Sequence, residues 1–175
     1  MLKNVQEELN AFAKYVISQS RANLTRGKNN DTKALWDSLK YDLNVSKNSF
    51  GLEFLMNQYG IFQDRGVKGT ERGKSLDNFS YKKSSNVVGM EYHTQTFGKW
   101  AKRRGVQFRD KKGRYVSHKQ TGFMLAQVIK KNGIKPSMFF TKPFKKAFKN
   151  LDKDIVSAFR LDVEQLIKST TNGNN

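Results

Sequence analysis

The pattern of hydrophobic and polar positions begins and ends with long helical stripes. Over residues 2–24 the apolar positions recur at steps of three and four, which predicts one amphipathic helix. The same spacing continues for more than 20 residues from Phe144 to Leu166. Thr141 is the predicted cap of this last helix, and Pro143 falls in its first turn, where a missing N–H is tolerated. Two long terminal helices are therefore expected.

Between these helices, alternation of apolar and polar residues predicts a β-hairpin over 39–56 with its turn at 47–49. The face expected to be half-buried carries Leu39, Tyr41, Leu43 and Val45. A short helical turn over 33–39 precedes the hairpin, and Asp31 or Thr32 is its predicted cap.

The region after the hairpin has a weaker pattern. A short helix over 57–64 is expected to pack three side chains against the hairpin: Tyr59, Ile61 and Phe62. Residues 66–113 contain seven glycines among many lysines and arginines, which predicts a long loop or arm with a few short ordered pieces. Within it, Arg109–Tyr115 is typical of a tight turn in a small hairpin. A helix over Gln120–Lys131 follows, and Asn132 and Gly133 end it.

The predicted fold class is therefore α+β, with long N- and C-terminal helices packed on a short antiparallel β-sheet. We expect a single domain over residues 1–170, with a basic arm over 67–116 inserted in it. Residues 171–175 are expected to form a disordered polar tail.

Positive charge is confined to the middle of the chain. Residues 65–149 hold 22 Lys/Arg and four Asp/Glu, a net of +18 that equals the formal charge of the whole chain. A field of one sign destabilises a compact state through self-repulsion, so a negative partner is expected near it. Eight cations fall within sixteen residues and alternate with Trp100, Phe108 and Tyr115, whose rings can stack on bases or sugars. The candidate contacts to DNA or to an acidic protein partner are Lys99, Lys102, Arg103, Arg104, Arg109, Lys111, Lys112 and Arg114.

Composition excludes several other classes. The chain has no cysteine, which rules out disulfides and thiolate metal sites. Residues 1–4 lead into an amphipathic segment and are not predicted to be a signal peptide. No apolar run approaches the roughly 20 residues of a membrane span. No cofactor and no membrane partner is expected.

Two candidate motifs have simple structural interpretations. The spacing of Gly66 and Gly69 matches the backbone clamp of some RNA-binding domains, but its helix–GxxG–helix context is missing, which favours a plain glycine turn. The histidines, His93 and His118, stand 25 positions apart without clustered acids, so no metal site is predicted.

The acids of the basic region are Glu71, Asp77, Glu91 and Asp110, and they are expected to pair with nearby Lys and Arg. Two of them would have to hold Mg²⁺ in a nuclease, and such an enzyme would depend on Glu91 or Asp110. No metal-binding pattern organises them, so the chain is not predicted to be an enzyme.

A phenylalanine-rich segment leads into the last helix. Phe144 is expected to anchor that helix in the core. Phe139 and Phe140 cannot both point inward from an extended link, so one of the two is a candidate for docking on a partner.

Three segments together resemble one protein family. They are DTKALWDSL (31–39), YGIFQDRGV (59–67) and IKPSMFFTKPF (134–144). In order and spacing they are similar to the TG-x-L-x-x-S-I-like, Y-x-x-F-x-D-x-G-like and P-x-x-F-F-x-P-A/F segments of the head–tail connector, or tail-completion (neck), proteins of tailed bacteriophages. The resemblance covers about 1–66 and 117–170. Lys33 stands where a glycine is usual, and 67–116 is much longer than the usual loop.

The resemblance implies a small α+β protomer that assembles into a sixfold or twelvefold ring under the portal. Such a ring joins head to tail and continues the DNA channel, and the family has no catalytic residues to carry over. The implied location is the virion, at the head–tail junction, after synthesis in the host cytoplasm. The implied partners are the portal and other neck or tail proteins, with packaged DNA as a further candidate. The alternatives are a free, sequence-nonspecific nucleic-acid-binding protein and the nuclease described above.

Overall fold

The structure is a computed structural model that describes residues 2–27, 31–46, 49–82 and 87–171, without the side chains of 87–92, 170 and 171. The elements follow in the order α1 (Lys3–Arg26), α2 (Ala34–Ser38), β1 (Lys40–Val45), β2 (Phe50–Leu55), α3 (Tyr59–Arg65), β3 (Val67–Lys68), α4 (Val87–Arg104), α5 (His118–Asn132), β4 (Gly133–Ile134) and α6 (Thr141–Thr171). The chain divides into two compact units. The terminal unit is Met1–Gly60 with Met138–Asn175, and the middle unit is Ile61–Ser137.

The terminal unit confirms the predicted α+β class, with two long helices and an antiparallel hairpin. β1 and β2 pair in the register Lys40↔Leu55 to Val45↔Phe50, and their side chains alternate between half-buried and exposed as the pattern predicted. The apolar stripe of α1 is buried, from Val5 to Leu24. The predicted turn at 47–49 lies partly outside the described residues.

Aromatic rings join α1, the hairpin and α6 in the core of the terminal unit. Phe54 of β2 makes edge contacts with Phe12 at 6.1 Å, with Phe140 at 5.3 Å and with Phe144 at 5.9 Å between ring centroids. Such geometry adds about 0.5–1.5 kcal/mol per pair beyond the burial of area. Phe144 is therefore the core anchor that the sequence predicted.

The expectation that Phe139 or Phe140 points outward is wrong. Phe139 is 1% exposed and packs with Leu24, Leu35 and Leu39, while Phe140 lies against Phe54. The two residues do not form an extended link, because helical hydrogen bonds already start here, with the Phe144 N–H donating to the Phe140 carbonyl at 3.1 Å. Consecutive residues of a helical turn lie about 100° apart, so both rings reach the same core.

The start of α2 also differs from the prediction. Its N-cap residue is Lys33 rather than Asp31 or Thr32, and Lys33 adopts a left-handed conformation with φ of 58°. This conformation favours glycine. The Asp37 N–H donates to the Lys33 carbonyl at 2.8 Å, so the strained residue also supplies the first acceptor of the helix.

The short helix predicted over 57–64 is present as α3, but its side chains differ from expectation. Tyr59, Ile61 and Phe62 are all between 41% and 49% exposed. Phe62 contacts Phe79 of the middle unit, with ring centroids 4.9 Å apart. At the other end of the chain, α6 runs through Thr171, and the rest of the predicted tail, 172–175, lies outside the described residues.

A carboxylate of α6 caps the first turn of α1. Asp162 is buried, and it accepts hydrogen bonds from the Asn4 N–H at 3.0 Å, the Asn4 side-chain amide at 2.8 Å and the Val5 N–H at 3.1 Å. Burial alone would raise the pKa of Asp162, but the hydrogen bonds from Asn4, Val5 and Lys3 together hold that pKa below its usual value of 3.8. The negative charge at the positive end of α1 thus ties the two helices together.

We predict that Asp162→Asn lowers the midpoint of thermal unfolding at pH 7 by a few degrees. Because the folded pKa lies below 3.8, the charged form stabilises the fold above that pH and the contribution is lost as the pH falls through the folded value. The gap between wild type and variant should therefore shrink below pH 3.8. Asp152→Asn, on an exposed side chain of the same helix, is the matched control and should change nothing. A gap that is equal at pH 7 and pH 3 would contradict the role of the charge.

Candidate nucleic-acid interface

The middle unit is built on a close helix pair, which corrects the prediction of a long loop over 66–113. α4 occupies 18 of those positions and packs against α5. A Cβ placed on Gly122 of α5 would lie 2.8 Å from the Gly98 Cα of α4 and against the Thr94 carbonyl oxygen. The buried residues around this crossing are small: Thr94, Ala101, Thr121 and Ala126. Because Gly98 and Gly122 have no side chains, the backbones of α4 and α5 come into direct contact.

Residues 66–81 are also ordered, because the C-terminal end of α5 supplies acceptors for their backbone. The Thr70 N–H donates to the Lys130 carbonyl at 2.9 Å, and the Arg72 N–H donates to the Lys131 carbonyl at 3.0 Å. β3 pairs antiparallel with β4 next to this contact. Much of the predicted arm is therefore folded.

The basic cluster lies at the end of α4 and in the turn that follows it. Lys99, Lys102, Arg103 and Arg104 are exposed on the last turns of α4, and Gly105 ends the helix with φ of 64°. Cations are favoured there because the helix dipole places partial negative charge at the C-terminus. The cations of α4 are thus followed directly in the chain by those of the turn.

The turn is a small hairpin, as predicted, and it is pinned to α5. Arg109 and Tyr115 form an antiparallel bridge, and the Phe108 N–H donates to the buried Thr121 hydroxyl of α5 at 3.3 Å. α5 then starts with a capping box in which Ser117 and Gln120 exchange hydrogen bonds. The hairpin that carries the basic residues is therefore fixed to α5.

Asp110 organises the tip of this hairpin. Its carboxylate accepts from the Lys112 N–H at 2.8 Å and the Arg114 N–H at 2.9 Å, and it forms an ion pair with the Arg114 guanidinium at 3.0 Å. The hydrogen bonds from the Arg114 backbone and side chain and from the Lys112 backbone hold the pKa of Asp110 below its usual value. Gly113 completes the turn with φ of 79°.

The eight candidate cations are not equivalent. Arg114 is neutralised by Asp110, and the Arg109 guanidinium stacks on the Tyr115 ring at 4.4 Å while donating to its hydroxyl. Four lysines have no ion-pair partner among the described side chains: Lys99, Lys102, Lys111 and Lys112. These lysines are the strongest candidates to neutralise a polyanion.

The interleaved aromatic residues fit stacking less well than the sequence suggested. Trp100 and Phe108 are half-buried. Tyr115 is 64% exposed, but the Arg109 guanidinium covers one face of its ring. This surface therefore offers more positive charge than free ring faces.

The acids of the basic region pair with cations where their side chains are described, as predicted. Glu71 lies 3.5 Å from Lys131, Asp77 lies 3.7 Å from Arg65, and Asp110 pairs with Arg114. The Glu91 side chain lies outside the described residues. Among the side chains that the structure describes, no three His, Asp or Glu come together to hold a metal ion.

The surroundings of Gly66 and Gly69 and of the two histidines do not match those of a binding motif. Gly66 and Gly69 flank β3, and a Cβ on Gly66 would lie 2.7 Å from the Ile134 carbonyl oxygen. His93 stacks on Phe97 with ring centroids 6.1 Å apart, and His118 is the first residue of α5. The plain structural interpretation of Gly66 and Gly69 is thus supported.

The chain matches no protein-family model, no curated protein and no solved structure. In the described parts of the chain, no helix combines the length and the apolar character needed to cross a membrane.

Proposed function

We propose that this protein is a structural virion protein of a phage neck, which forms a ring that joins the portal to the tail and continues the DNA channel. The three segments that resemble the neck family support this proposal, because each has a geometry that suits the family pattern. Lys33, where a glycine is usual, has the left-handed backbone that glycine adopts easily. Gly66 has φ of 76° and leaves no room for a Cβ beside the Ile134 carbonyl oxygen, while Phe139 is in the core and Phe140 packs against it.

An exposed apolar stripe on α6 is the observation that carries the proposal of a ring. It consists of Phe148, Val156 and Phe159, which are 50%, 68% and 49% exposed and lie on one side of the helix. An apolar face of this kind on a folded protomer favours contact with another chain. A second copy that meets a different surface of its neighbour generates a closed ring when the rotation closes.

We predict that Val156→Glu with Phe159→Glu converts the assembly into monomers. Size-exclusion chromatography with light scattering should give a multiple of the 20.2 kDa chain mass for the wild type and a single chain for the variant. Leu161→Glu is the matched control, because Leu161 is 49% exposed on the opposite side of α6. It should leave the assembly intact. A wild type that stays monomeric, alone and with portal protein, would overturn the ring.

The second candidate, a free nucleic-acid-binding protein, is favoured by the four lysines of the basic cluster that have no ion-pair partner among the described side chains. Residues 61–137 hold 18 Lys/Arg against five Asp/Glu, so the field of the middle unit is strongly positive. In a ring, the same cluster repeated in every subunit would meet DNA in the channel or acidic surfaces of neighbouring proteins.

We predict that replacing Lys99, Lys102, Lys111 and Lys112 by alanine flattens the salt dependence of DNA binding. Each lost phosphate contact reduces the slope of log K against log salt by about 0.9, so the slope should fall by roughly 3–4. Fluorescence anisotropy with a labelled DNA duplex, at salt concentrations from roughly 50 to 200 mM, measures this slope. The control replaces Lys142, Lys145, Lys146 and Lys149, four exposed lysines of α6, and removes the same charge. Equal loss in both variants would mean that net charge, and not this cluster, sets the affinity.

A further inference from the structure

A groove in the terminal unit has no role in the proposed ring or in the basic cluster. It has a volume of about 940 Å³ and lies between the C-terminal half of α1, the end of α2 and the start of β1. This volume is at the upper end of the range for ligand pockets, which is about 300–1,000 Å³. Among the described residues that line the groove, every charged side chain is a cation: Lys14, Arg21, Arg26 and Lys40. The groove therefore selects for negative charge.

Arg21 is held in place at the wall of this groove. Its guanidinium lies 4.2 Å from the centre of the Trp36 ring, and it donates to the Trp36 carbonyl at 3.2 Å and to the Leu39 carbonyl at 3.0 Å. These bonds use Nε and Nη2, and no described residue accepts a hydrogen bond from Nη1. No described carboxylate lies within ion-pair distance of the guanidinium. Arg21 is a preorganised cation with donors left for a ligand.

The groove also borders an open strand edge. Lys40 and Tyr41, the first residues of β1, line it, and within the described residues β1 pairs with β2 alone. The edge of a two-stranded sheet leaves backbone donors and acceptors that an extended peptide can pair with. Among the described lining residues, Ala22 is exposed and Tyr41 is half-buried, so these two can contact alternate side chains of such a strand, whereas Ile17 and Leu39 are buried.

We propose that this groove binds an extended acidic peptide segment of a partner protein. The peptide backbone pairs with the edge of β1, its carboxylates meet Arg21 and the surrounding lysines, and its alternate apolar side chains contact Ala22 and Tyr41. A nucleic acid is the less suitable occupant, because it has no backbone that can extend a β-sheet, and because Arg21 already covers one face of the Trp36 ring. The site stands apart from the ring proposal and can be present without it.

The test uses the full chain and a ten-residue peptide in which glutamate alternates with leucine and tyrosine. The chain has two tryptophans, so each indole N–H gives its own NMR signal. Addition of the peptide should shift the Trp36 signal and leave the Trp100 signal in place. A peptide with lysine for each glutamate should not bind, and a peptide with proline at alternate positions should bind at least tenfold more weakly because it lacks N–H donors. Equal binding of either control peptide would overturn the proposal.

Charge reversal locates the site. Lys14→Glu with Lys40→Glu should weaken the acidic peptide at least tenfold, because both side chains are exposed at the groove. Lys149→Glu with Lys153→Glu reverses the same charge on α6 and should leave the affinity within twofold of wild type. Circular dichroism checks that both variants are folded. Equal loss in the two variants, or a Trp36 shift caused by a single-stranded oligonucleotide and not by the peptide, would overturn the proposal.

Discussion

Replacement of Phe139 by alanine is expected to lower the free energy of unfolding of the terminal unit by about 3–5 kcal/mol. The ring is 1% exposed and fills the space between Leu24, Leu35 and Leu39, so its removal leaves a cavity as well as the loss of buried area. Urea unfolding followed by far-UV circular dichroism measures the change, and the fluorescence of Trp36 in a Trp100→Phe background serves as a local probe.

Phe148→Ala is the matched control for this prediction. It removes the same atoms from a ring that is 50% exposed in the single chain, so in the monomeric background of Val156→Glu with Phe159→Glu it should lower the free energy of unfolding less than half as much. A loss below about 1 kcal/mol for Phe139→Ala would contradict its place in the core. Phe139 would then again be a candidate for docking on a partner.

Replacement of Gly122 by valine is expected to separate α4 from α5 and to destabilise the middle unit by about 3 kcal/mol, the upper end of the usual range for overpacking. The new Cβ would lie 2.8 Å from the Gly98 Cα and against the Thr94 carbonyl, and both neighbours are backbone atoms of α4. A rotamer change cannot relieve such a contact. Hydrogen exchange should become faster in peptides from α4 and α5, while peptides from α1 keep their protection.

Gly51→Val supplies the contrast. Among the described residues, a Cβ on Gly51 meets only the Asn44 Cβ at 3.8 Å, an ordinary contact between paired strands, and valine is favoured in strands. This variant should be as stable as wild type or slightly more stable. If Gly122→Val also keeps wild-type exchange rates, the close crossing of α4 and α5 is wrong. The basic cluster would then no longer be held in position by the packing of α4 on α5.

The terminal unit was predictable because its helices and strands bury large apolar side chains at regular intervals. The structure contains both the buried apolar stripe of α1 and the alternating burial of side chains along β1. α4 escaped prediction because its contact with α5 is made by glycine, alanine and threonine, which leave no apolar stripe in the sequence. Gly98 indicated a loop for the same reason that it permits the close crossing: it has no side chain.

The candidate sites divide in a similar way. The basic cluster is contiguous in sequence, so composition alone revealed it, but only the structure separates Arg109 and Arg114, which have partners, from the lysines. The groove was missed because Lys14 and Lys40 belong to different elements and look like ordinary solvated residues in the sequence. The one local signal was Trp36, a large aromatic residue in a short helix, and it gave no indication of the cation stacked on it.

The sequence by itself determined the class of the terminal unit, the position of the charge and the end of α5 at Asn132 and Gly133, because these depend on periodicity and on local backbone preferences. Only the tertiary structure decided that α4 is a helix, that Lys33 adopts a left-handed backbone and that Phe139 and Phe140 both face the core. Each of these depends on contacts between residues far apart in the chain, whose packing outweighs local propensity.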